Sequence, residues 1–126
     1  MNIASILILA FLAVTFLQSG YDKVADWKGN VEWLKGHFSK TILRNQVPAA
    51  LLIILALELL SGILCSVGVV ELLVTREHVY GYYGALFSCI ALILLLFGQR
   101  IAKDYDGART IAIYFIPAVL AVYWLA

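Results

Sequence analysis

Charge is scarce in this chain: 13% of its 126 residues are Asp, Glu, Lys or Arg, while 63% are hydrophobic. Soluble domains carry about a quarter charged residues, so this composition cannot clothe a water-facing surface and lipid is the expected solvent. Cysteine is limited to Cys65 and Cys89, with neither CxxC spacing nor a nearby histidine, which argues against a zinc or thiol-redox motif. Both also fall at different expected depths, so no disulfide is expected between them. Histidine is equally sparse. His37 and His78 lie in different connecting segments and make no paired ligand motif for a metal. Basic clusters with interleaved aromatics are missing and the net charge is only +1, so nucleic acid is not an expected partner. The first apolar run has no basic residue ahead of it and no small-x-small cleavage site behind it, so it is expected to remain as a helix.

What the chain does have is apolar runs, at residues 3–17 (extended by Gln18 and Ser19), 47–70, 79–97 and 110–126. A helix needs about 17–25 mostly apolar residues to cross the hydrocarbon core. Lipid tolerates no open sheet edge, and continuous runs do not alternate as barrel strands do. The expectation is therefore an all-α fold: one domain over residues 1–126, an integral membrane bundle of four transmembrane helices. Pro48 suits the first turn of the second span, where its missing N–H costs little. Pro117 is expected to kink the fourth. Membrane lipid is the expected surround, and a membrane-protein partner or a second copy the expected company.

Between the first two spans, Val24, Trp27, Val31, Leu34 and Phe38 recur at spacings of three and four, with Lys28, Glu32, Lys35 and Lys40 largely between them. That is the pattern of an amphipathic helix at the interface, lying among headgroups or folded over the bundle mouth. Basic residues set an orientation. The first and third connections hold Lys23, Lys28, Lys35, Lys40, Arg44, Arg100, Lys103 and Arg109, and the other side holds only Arg76, eight against one. The positive-inside rule then places both termini outside the cytoplasm.

Glu58, near the middle of the second span, is the candidate for ligand anchoring or proton handling. An ionised acid there costs at least ~2.5 kcal/mol. Its face continues as Ser61, Gly62 and Cys65, a stripe of small residues that packs against helices and not lipid. Lys23 and Arg100 are expected roughly 10 Å or more nearer the cytoplasm, at 1.5 Å rise per residue. Desolvation without a close cation favours the protonated carboxyl, so Glu58 is expected to be uncharged. A second group of candidates gathers at the cytoplasmic ends of the odd-numbered spans. Gln18 and Asp22 share one face of the first helix if it continues that far, with Lys23 next in the chain. Gln99, Arg100, Lys103 and Asp104 close the third. Opposite charges at one depth there are expected to form an ion-pair cluster across the bundle mouth. No motif for haem, flavin or metal accompanies them.

Three stretches resemble the DoxX family of small bacterial membrane proteins, and they cover nearly the whole chain in order and spacing. Phe16-Leu17-Gln18-Ser19-Gly20-Tyr21-Asp22-Lys23-Val24 resembles the family's G-x-x-K-hydrophobic signature. Leu57-Glu58-Leu59-Leu60-Ser61-Gly62 is similar to its L-E-x-x-x-G second span, with Ser61-Gly62 in place of the usual Gly-Gly. The segment from Gly98 through Lys103-Asp104 to Ala108 resembles the family's third-span ending. The resemblance implies a four-helix protein of the bacterial inner membrane, a subunit that interacts with quinone or lipid in a membrane oxidoreductase complex. The competing expectation is a non-enzymatic scaffold or accessory subunit that stabilises a larger complex.

Overall fold

The computed structural model describes residues 3–42 and 45–126. Arg44, one of the basic residues assigned to the first connection, lies outside the described residues. Those described form five helices: α1 (Ile3–Ala25), α2 (Trp27–His37), α3 (Val47–Val74), α4 (Val79–Ile101) and α5 (Tyr105–Leu125). All but α2 are long and apolar enough to cross a membrane. The protein is an all-α, multi-pass membrane bundle of four helices, with a short fifth helix between its first two spans.

Local chemistry sets the helix ends. α1 continues beyond Ser19 as far as Ala25, and α2 begins after Asp26, whose side chain accepts the N–H of Gly29. Asn30 then reaches back from α2, donating to the carbonyl of Asp26 at 2.7 Å and to that of Asp22 at 3.4 Å. Both carbonyls also accept backbone N–H groups, from Asp26 and Asn30 respectively, and the one side-chain amide adds a tie across the corner between the two helices. α5 begins at Tyr105, ahead of its apolar run, because Asp104 caps it by accepting the N–H of Gly107 at 3.0 Å. Pro48 stands in the first turn of α3 and Pro117 inside α5.

α3 is the central element, packed between α1 and α4, and α5 packs chiefly on α4. Its buried residues, among them Leu51, Leu55, Glu58, Ser61, Gly62, Cys65, Gly68 and Leu72, recur at three and four and make one inward stripe. Outside the stripe, Leu52, Ile53, Ile63 and Val70 are exposed, as a lipid-facing surface requires. Small residues let the helices close. A β-carbon added to Gly62 would lie 2.7 Å from the side chain of Leu17, and one on Gly20 would lie 2.6 Å from that of Leu59. Cys65 and Cys89 are both free. Cys65 lies against Gly84 and Ser88, with 3.9 Å between its sulfur and the Ser88 hydroxyl.

The tightest approach is between Gly68 of α3 and Gly81 of α4. A β-carbon on Gly68 would sit 2.5 Å from the Gly81 Cα, whereas one on Gly81 would meet the end of Leu9, a movable side chain, at 2.7 Å. Backbone cannot yield as a leucine methyl can. Gly68→Ala should therefore cost about 1–3 kcal/mol by overpacking, and Gly81→Ala distinctly less. Unfolding midpoints in detergent of increasing SDS content check this, and equal loss in the two variants would refute it.

A buried ion pair beside a cavity under α2

The stripe of α1 that faces the bundle holds Leu9, Leu12, Phe16 and Gly20, and Ser19 and Lys23 flank its last turn. Leu17 packs on Gly62 and Gly20 on Leu59. Antiparallel counting from either contact brings Lys23 level with Ala56, two residues and so roughly 3 Å from Glu58 in depth. A lysine stem covers that easily. Lys23 Nζ lies 2.9 Å from Glu58 Oε1, with the acid side chain 1% exposed and the lysine 17%. The same ammonium donates to Ser19 Oγ at 2.8 Å. Its approach to Glu58 is an ion pair by distance without the direction of a hydrogen bond. Both carboxylate oxygens are thus buried with no hydrogen-bond partner among the described residues.

This overturns the expectation that no cation reaches the depth of Glu58. The case for an uncharged acid loses its premise, and the site starts from a buried ion pair. Depth counted from the ends of the apolar runs assumes that the helices end at one level, and they do not. By the contacts above, Ala25 is level with Ile54, so α3, which starts at Val47, projects past the end of α1 by more than a turn. Its first turns, from Val47 to Ile54, and the last turns of α4, from Leu94 to Gln99, stand beyond the end of α1 with a space between them.

α2 spans that space. Val31 is buried on its inner face, with Trp27, Asn30, Leu34 and Phe38 half-buried, while Lys28, Glu32 and Lys35 point out. Beneath it is a cavity of about 410 Å³. The walls are apolar, from Leu34 and Phe38 of the α2 side, Leu51 and Ile54 of α3, and Leu95 of α4. Ile53, Leu94 and Phe97 also line it and are exposed on the outer face of the bundle, so one wall is continuous with the lipid-facing surface. Lys23, Asn30 and Gln99 supply the polar groups.

The far end of α2 is latched by His37. Its Nε2 lies 3.4 Å from Gln99 Oε1 and 3.7 Å from Asp104 Oδ2, and its ring stacks on Trp33 with centroids 4.7 Å apart. The sequence reading passed over His37 as a connecting residue. Its signal was periodicity, since it continues the Asn30–Leu34 face of α2 at steps of four and three.

The candidate residues thus divide. Glu58 and Lys23 meet in one group, and Gln99 and Asp104 meet around His37 in a second. Gln18, Asp22, Arg100 and Lys103 are exposed and belong to neither. The expected ion-pair cluster across the mouth does not form: among the described residues, the ion pairs are Lys23–Glu58 and Arg109–Asp106, with His37–Asp104 a third only when the imidazole is protonated. Gln18 and Asp22 lie about a quarter-turn or more around α1 from the face carrying Ser19 and Lys23, which turns them to the outside. Arg100 places its guanidinium 5.4 Å from the centre of the Tyr105 ring, and Lys103 occupies a left-handed turn (φ 59°) between α4 and α5. No group of histidine, cysteine and acidic side chains among the described residues could hold a metal ion. Comparison of the chain with protein-family models, curated proteins and solved structures gave no match.

Proposed function

We propose that this protein is a DoxX-like subunit of the bacterial inner membrane that binds a lipid-soluble amphiphile, a quinone or a lipid, within a membrane oxidoreductase complex. The observation that carries this reading is the cavity under α2, with apolar walls continuous with the lipid face and Lys23 at its polar end. A chain or isoprenoid tail would lie between α3 and α4, and the head would meet Lys23 and Gln99. About 410 Å³ is within the range of small-molecule sites. Electrons, if this subunit serves their transfer, would be carried by the ligand and by partner proteins.

The test is extraction of the protein, purified in mild non-ionic detergent, with organic solvent and identification of what it carried. One lipophilic compound per chain is the expected result. A stable protein partner with no such compound would replace this reading with that of a scaffold.

The same proposal has both termini outside the cytoplasm, on the basic asymmetry. A reporter active only in the cytoplasm, fused after Ala126, should be silent there, and a strong signal would invert the orientation.

A further inference from the structure

We infer that the cavity selects uncharged amphiphiles with a carbonyl or similar acceptor head over anionic ones, and that Glu58 is the residue that sets this selectivity without touching the ligand. The inference rests on the reading of the cavity as an amphiphile site.

Lys23 is the one charged residue among the described residues that line the cavity, and Glu58 does not line it. An isolated ammonium facing an apolar pocket would draw carboxylates and phosphates. This one is already neutralised from behind, by a carboxylate at 2.9 Å that is itself fully buried. An ammonium has three N–H donors. One goes to Ser19 Oγ, while Glu58 stands 2.9 Å away as an ion pair outside the direction of a hydrogen bond. A further donor is available to a carbonyl oxygen at no cost in charge. A carboxylate ligand would instead put two anions on one ammonium, where low dielectric makes their repulsion large. Asn30 cannot offset it, because its amide donates to the carbonyls of Asp22 and Asp26. Glu58 is thus a positioning residue: it holds Lys23 and cancels its charge.

The experiment is native mass spectrometry of the purified protein in non-ionic detergent, at a pH where fatty acids are ionised. Methyl dodecanoate and dodecanoate are offered together at equal concentration. Wild type should retain the ester over the carboxylate by at least about tenfold, which corresponds to about 1.4 kcal/mol. Glu58→Gln should invert that preference, because Lys23 then carries an uncancelled charge. Ala50→Trp, which fills the cavity, should remove the bound ester and so locate it. A second mixture of decylubiquinone and monoolein distinguishes the two sources of a neutral carbonyl, and whichever is retained identifies the head. Carboxylate binding equal to or above that of the ester in wild type overturns the selectivity while the amphiphile site stands. Retention of the ester preference by a folded Glu58→Gln overturns the role of Glu58. If neither probe binds, the amphiphile site itself falls.

Discussion

Lys23→Met should destabilise the bundle by roughly 3–5 kcal/mol, the usual consequence of removing one partner of a buried pair. Methionine keeps the length of the side chain, so little packing is lost. What is lost is the cation. Glu58 would be left fully buried with no hydrogen-bond partner among the described residues and no neighbouring charge. The reverse change should be milder. After Glu58→Gln, Lys23 keeps Ser19 and is 17% exposed, so its ammonium can reach outward while its stem stays packed. Replacing both, as Lys23→Met/Glu58→Leu, should recover most of the stability lost by the single lysine variant, because an apolar pair carries no desolvation penalty. Unfolding midpoints of the four proteins in the same detergent series decide the matter. A Lys23→Met protein as stable as wild type, or a double variant no better than it, would mean that the pair is not the buried element described above.

Ala50→Trp should lower the amount of amphiphile bound by at least about tenfold, or about 1.4 kcal/mol of binding free energy. Ala50 is half-buried on α3 and faces the cavity. An indole there occupies space that the ligand would need, and it does so in an open cavity and not in the packed contact between α3 and α1. The same substitution should therefore leave the unfolding midpoint close to wild type. Binding by the extraction assay and stability in the detergent series are read on one preparation. Loss of the ligand with the fold intact places it under α2. Full retention would move it elsewhere on the bundle.

The four spans were legible because lipid imposes a crude and lengthy requirement. Each crossing element must satisfy its own backbone and be apolar over roughly 17–25 residues, and the runs at 47–70 and 79–97, with those at 3–17 and 110–126 lengthened by their flanks, do so without reference to one another. The inward face of α3 was legible for a similar reason, since Glu58, Ser61, Gly62 and Cys65 are related by helix period alone. The short helix α2 was legible from Val31, Leu34 and Phe38 at that same period, although periodicity could not say what it covered.

The site was not legible in the same way, because it depends on how far one helix slides along another. That slide is decided by which residues seat on the glycines: Leu17 on Gly62 and Leu59 on Gly20, with the Gly81 backbone against Gly68. These contacts join residues far apart in the chain, and no local pattern announces them. They bring Lys23 down to Glu58 and turn Gln18 and Asp22 away from it. They also leave the ends of α3 and α4 standing beyond α1, which opens the cavity that α2 closes. Composition and period determined by themselves that this chain is a membrane bundle with one acid turned inward, because burial in lipid acts on each helix separately. Only the packing of α1 against α3 decided that the acid meets a lysine and that the lysine faces a cavity, because register is a property of helix pairs.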